Sequence, residues 1–142
     1  MTFHTLIQFC GLAHIVLGLG SLAIPKLLDW SNAFKHTPLL IKQIFWTYAG
    51  YILFINLFFG VVSLLLTEEM LSGTGLAVAL TLLISIYWIA RLIIQFVYFD
   101  KSDLPEAFIY KFGEWALVIL FVLFSVAYSY AFYLNLTIWR QQ

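Results

Sequence analysis

Four long apolar runs dominate the chain, at residues 5–24, 43–66, 76–99 and 115–134. A helix rises ~1.5 Å per residue, so each run is long enough to cross the ~30 Å hydrocarbon core of a bilayer. Polar and charged residues gather between the runs and at their ends. The pattern predicts an all-α fold: an integral membrane four-helix bundle running up-down-up-down. The connections are too short for a soluble domain, so residues 1–142 read as a single membrane domain.

The ends of the runs carry their own signals. Pro25 has no N–H and disfavours helical geometry in the residue before it, which predicts that the first helix stops at Ile24. The longest connection follows, residues 25–42, and its Lys26-Leu27-Leu28-Asp29-Trp30 run predicts a short interfacial turn. Residues 68–75 end in Ser72-Gly73-Thr74-Gly75, which predicts a tight antiparallel hairpin between the second and third spans. Asp103, Pro105 and Glu106 read as the capped start of an interfacial segment leading into the fourth span. The first run is expected to stay in the mature protein. It exceeds a signal-peptide core in length, lacks Lys or Arg before it, and is not followed by a small-residue cleavage site.

Charge sets an orientation. Lys26, Lys35 and Lys42 lie in the first connection and Lys101 and Lys111 in the third, whereas Arg140 stands alone on the other side with Glu68 and Glu69. Positive loops stay cytoplasmic, so both termini are expected on the non-cytoplasmic side. Trp30, Trp46, Tyr110 and Trp115 would then mark the cytoplasmic interface and Trp139 the opposite one. The composition fits: 63% hydrophobic and 10% charged, against roughly 25% charged in soluble domains. Formal net charge is zero, so nothing points to nucleic acid. The one cysteine, Cys10, lies inside the first span and can form no disulfide within the chain.

Small and polar residues recur at helical spacing within each span. Gly11, His14, Gly18 and Ser21 form one such row; Ala49, Asn56, Gly60 and Ser63 a second; Trp88, Arg91, Gln95 and Tyr98 a third; Glu114, Ser125 and Tyr128 a fourth. In lipid such rows mark helix–helix contacts. Arg91 is the strongest single feature. An Arg at mid-span costs about 2.5–3.5 kcal/mol on insertion scales, so a partner is expected. Glu114 is the carboxylate best placed to serve, with Gln95 or Tyr98 assisting. His14 admits three roles: a hydrogen-bonded packing residue, a proton relay or a haem or metal ligand. His4 and His36 are expected on opposite sides, which argues against a bis-histidine site in one chain. Tyr51 and Tyr48 are candidates to face Arg91 or a ligand, and Asn56 to bond between helices.

The chain has no zinc-protease motif, P-loop or nucleophile elbow. No metal and no cofactor is required by the residues. The span layout, with Gly11-Leu12-Ala13-His14-Ile15-Val16-Leu17-Gly18, Ile24-Pro25-Lys26-Leu27-Leu28 and Gln43-Ile44-Phe45-Trp46-Thr47-Tyr48-Ala49-Gly50-Tyr51, resembles the DoxX-like group of small bacterial four-helix membrane proteins. The resemblance implies the four-helix architecture, a bacterial cytoplasmic (inner) membrane and, for some members, a link to quinone or thiol redox systems. Three functions remain open. One is a non-enzymatic subunit or accessory protein of a larger membrane complex, with Phe54, Phe58, Phe59, Phe121, Phe124 and Phe132 offering surfaces. The second is an enzyme binding a quinone or lipid headgroup on the cytoplasmic side at Arg91, Gln95, Tyr98 and Glu114. The third is a homo-oligomeric proton-coupled transporter using His14 and Glu114.

Overall fold

The computed structural model describes residues 2–98 and 108–142, and of residues 108–110 the backbone alone. The elements are α1 (Phe3–Ser21), α2 (Ile24–Leu27), α3 (Trp30–Ala33), α4 (Leu39–Leu65), α5 (Thr67–Met70), α6 (Gly75–Val97) and α7 (Phe108–Trp139). Four of these helices, α1, α4, α6 and α7, are long and apolar enough to cross a membrane.

Helix ends depart from the apolar runs for identifiable reasons. The hydroxyl of Thr2 accepts the N–H of Thr5 and caps α1. That helix closes at Ser21 rather than Ile24, because the Leu22 N–H folds back to the Leu19 carbonyl at 3.2 Å. Pro25 therefore does not terminate α1. It sits in the first turn of α2, where a missing N–H costs nothing. α4 starts at Leu39, directly after Pro38, and α7 extends over 32 residues, both longer than their apolar runs. Backbone hydrogen bonding carries a helix beyond the stretch that hydrophobicity alone marks. Thr74 caps α6 by accepting the Ala77 N–H at 3.2 Å. The expected cap around Asp103, Pro105 and Glu106, and Lys101, lie outside the described residues, as does the Tyr110 side chain.

The first connection is built as two short helices joined at Asp29, whose φ of 46° places it in the left-handed region. Its carboxylate accepts from the Asn32 amide and the Ser31 hydroxyl. Those two bonds, Asn32 foremost, hold the carboxyl below its ordinary value near 3.8. The stabilisation of this turn is therefore complete above that value and is lost as pH falls through the lowered one. Trp30 packs edge-on against Phe45 and Trp46 at 4.8 and 5.5 Å between ring centroids, which fastens the connection to the start of α4.

The closest helix packing joins α1 to α4 and α6 to α7. Glycine permits the first pair. A Cβ on Gly11 would stand 2.9 Å from the Gly60 carbonyl, and one on Gly60 equally close to the Gly11 carbonyl. The second pair is bridged by Ser85 and Ser129, hydroxyl to hydroxyl at 2.7 Å. α4 and α6 were expected to form the tight hairpin because their connection is short. Instead α5 separates them, and they meet through side chains, with Phe59 edge-on to Tyr87 at 5.4 Å. The small residues lie elsewhere: Gly11 and Gly60 between α1 and α4, and serine and alanine between α6 and α7.

Burial is confined to one half of the bundle. Among the described residues, the buried positions of the long helices reach Gly18 on α1 and Trp88 on α6, and begin at Asn56 on α4 and Phe121 on α7. These limits define one layer, since Gly18 abuts Asn56 and Trp88 packs on Phe121. The inward rows hold on the core side of that layer. Beyond it they weaken: Ala49, Arg91, Gln95 and Glu114 are half-buried and Tyr98 is 80% exposed.

Glycine substitutions separate packing from lipid exposure. Gly11→Ala is expected to destabilise the protein in detergent by about 1–3 kcal/mol, because its Cβ meets backbone. Gly50→Ala, where a Cβ would meet open space, is expected to change stability by no more than about 0.5–1 kcal/mol, in the stabilising direction. Denaturant titration of the two variants followed by circular dichroism checks the contrast.

Candidate functional site

His14 is fully buried at the centre of the packed half. α1 brings it there one turn beyond Cys10, whose carbonyl accepts from Nδ1 at 2.7 Å. From α6, the Trp88 indole N–H donates to Nε2 at 2.8 Å. Indole nitrogen is a donor only, so Nε2 must be the acceptor and the ring proton sits on Nδ1. Four aromatic rings enclose the imidazole. Phe124 stacks on it at 3.8 Å and 24°, while Phe59, Trp88 and Tyr128 stand edge-on at 6.0, 5.2 and 5.5 Å. Among the three roles expected for His14, this geometry is that of a hydrogen-bonded packing residue. A relay needs neighbours that take and return protons, and an indole donor and a peptide carbonyl do neither. A ligand role would require Nε2 to surrender the Trp88 bond. Among the described residues, no group of three or more His, Cys, Asp or Glu side chains converges on a point.

Two further polar clusters lock the same half. The Tyr128 and Ser63 hydroxyls share a 2.6 Å hydrogen bond between α7 and α4. Asn135, fully buried near the end of α7, accepts the Gly73 N–H at 2.9 Å and donates to the Met70 carbonyl at 2.8 Å. Its amide also reaches the Thr81 hydroxyl at 3.4 Å. The fourth span thus closes the connection between the second and third. Gly73 has φ +69°, and a Cβ there would lie 2.3 Å from Ile138, so this turn requires glycine. None of Asn135, Gly73 or the Ser63–Tyr128 bond was singled out in the sequence as a site. A lone amide directly after the fourth apolar run and a glycine-rich turn were the available signals.

The second candidate region begins where the core ends. The Arg91 guanidinium lies over the Phe121 ring at 5.6 Å, a cation–π distance. Glu114 stands half-buried on α7, two turns from Phe121, so it shares a face with the ring that Arg91 covers. Gln95 follows one turn after Arg91 and is half-buried too. Tyr98 is turned largely outward, and so are Tyr51 (65% exposed) and Tyr48. Tyr51 therefore does not line a site with Arg91. Tyr87 stands one turn before Arg91 on α6, half-buried and edge-on to Phe59 at 5.4 Å. Its i,i+4 spacing from Arg91 was the signal that sequence reasoning left unused. The aromatic surfaces also divide. Phe59, Phe121 and Phe124 are buried core, whereas Phe54 and Phe58 remain exposed and stacked on each other.

No protein-family model matches the chain, and no curated protein or solved structure matches it significantly.

Trp88→Phe keeps the ring packing and removes the donor to His14. Leaving Nε2 unpaired in a dry core is expected to cost about 1–3 kcal/mol. In the double variant Trp88→Phe with His14→Phe the loss should be smaller than the sum of the two single losses. A double-mutant cycle from denaturant unfolding measures that coupling.

Proposed function

We propose that the protein is a non-enzymatic subunit or accessory component of a larger membrane assembly. The observation that carries this reading is the state of the interior. His14, Ser63, Tyr128, Asn135 and Thr81 bind one another or backbone within the packed half. Such an interior fixes a shape, and a fixed shape with large exposed apolar surface suits a part that docks against others. The outer face of α4, with Tyr48, Tyr51 and Phe54 exposed along it, is the surface we assign to the partner. Tyrosine hydroxyls at that depth gain more from a protein neighbour than from acyl chains.

In this reading the four spans alternate in direction in the manner of the DoxX-like group. The chain sits in a bacterial cytoplasmic membrane with both termini on the outer side. Arg91 and Glu114 form an ion pair that pins α6 to α7 near the cytoplasmic face. The transporter alternative is weakened by His14, whose ring nitrogens are both held by groups that do not exchange protons. The enzyme alternative differs in requiring a bound small molecule.

Native mass spectrometry of the tagged protein, extracted from its own membranes in mild detergent, tests the reading. A second protein at fixed stoichiometry is expected, and Tyr48→Ala with Tyr51→Ala should lower its recovery about tenfold or more, the loss of one hot-spot pair. A homo-oligomer or monomer free of other protein in the same extract would overturn it.

A further inference from the structure

We propose that Lys26, Lys35 and Lys42, gathered around the ring cluster that fastens the first connection to α4, bind anionic phospholipid headgroups. This goes beyond the subunit reading and holds whether or not a partner protein is present. The three lysines come from α2, from the chain after α3 and from the first turn of α4. The fold brings them to one place.

Trp30 of α3 packs on Phe45 and Trp46 of α4, and Phe34 packs on Phe45 at 4.7 Å between ring centroids. Each lysine stands close in sequence to one of these rings. Lys26 precedes Trp30 by four residues, Lys35 follows Phe34 directly, and Lys42 lies one turn before Phe45 and Trp46. Lys26 and Lys35 are exposed and Lys42 is half-buried. Among the described residues, none of the three has an ion-pair partner. Asp29 is the one carboxylate in residues 22–42, and it already accepts from Ser31 and Asn32. Like charges held near one another repel, and an anion relieves that repulsion.

The surroundings identify the anion as a lipid headgroup. Leu28, Leu39, Leu40 and Ile41 are exposed beside the lysines. Lysine next to leucine suits the edge of a bilayer, where phosphate and acyl chain are close neighbours. Trp30 and Trp46 favour the same depth. A soluble anion would satisfy the lysines and leave the leucines uncovered. Phosphatidylglycerol carries net negative charge, whereas the choline of phosphatidylcholine cancels its phosphate. The competing counter-ions within the chain are Asp100, Asp103 and Glu106 of the third connection, which also holds Lys101 and Lys111.

The test uses the purified full-length protein, delipidated in detergent and offered phosphatidylglycerol and phosphatidylcholine with identical acyl chains. Retained lipid is read by native mass spectrometry. A lysine near an anionic surface contributes about fivefold, so phosphatidylglycerol is expected to be favoured about tenfold or more. Lys26→Gln, Lys35→Gln and Lys42→Gln together should abolish that preference. Trp30→Ala keeps every charge but loosens the ring cluster, and should lower the preference about fivefold. Arg140→Gln, beyond the end of α7, should match the parent. Circular dichroism verifies that each variant is folded. Should the variants fail to fold, salt decides: at about 1 M, where charges are screened beyond about 3 Å, the parent's preference should vanish. Equal retention of the two lipids by the parent would overturn the proposal. So would a preference that appears only after Asp100→Asn, Asp103→Asn and Glu106→Gln, since those acids would then hold the lysines. A preference that survives in the glutamine variant, in Trp30→Ala or at high salt would overturn it equally, because the lysines would not form a gathered site.

Discussion

The hydrogen bond from Trp88 to His14 is the contact on which the rest of the bundle depends. It joins α1 to α6, and so ties the α1–α4 pair to the α6–α7 pair. Within a bilayer the hydrophobic effect does not drive helices together, because acyl chains are as apolar as leucine. Association rests on close packing and on polar groups with nowhere else to bond. His14 satisfies both conditions. Its nitrogens are claimed from two helices, and its ring faces are claimed by the aromatic side chains around it.

That constraint explains why the protein has two unlike halves. Where polar groups are paired across the bundle, at His14, Ser63 and Asn135, burial is complete. Beyond the layer of Gly18, Asn56 and Trp88, the described residues of the long helices are half-buried or exposed. Arg91 stands on this boundary, with an aromatic ring beneath it and the looser half beyond. A charge is better tolerated there than in the dry core, where its desolvation would be uncompensated. The same boundary leaves the Asn56 oxygen without a donor among the described residues.

Much of this fold was legible in the sequence. Hydrophobic run length marked all four spans, and the rows of Gly11, His14 and Gly18 and of Asn56, Gly60 and Ser63 face inward as their spacing requires. The rows of the third and fourth spans were read correctly at Trp88, Ser125 and Tyr128 and misread at Tyr98. Helical spacing says which residues share a face but not how far along the helix a neighbour accompanies that face. The pairing of spans was illegible for a related reason. A short connection limits the distance between two helix ends, whereas close approach depends on small residues, and Gly11 finds Gly60 across different spans. The bonding of Asn135 to Gly73 was out of reach, since it joins positions 62 residues apart through a turn geometry that only the folded chain displays.

The Asn135 contact has a consequence for how the protein is made. The turn after α5 presents the Gly73 N–H and the Met70 carbonyl, and the group that binds both lies near the end of the last span. A ribosome releases that asparagine about sixty residues after the turn it closes. Until it arrives, the middle of the chain can enter the membrane but its turn has no latch. Quality-control factors that sense unpaired polar groups in membrane segments would therefore see an unfinished protein until the fourth span has entered. Loss of the Asn135 amide would leave a chain that is inserted yet unlatched at the turn after α5.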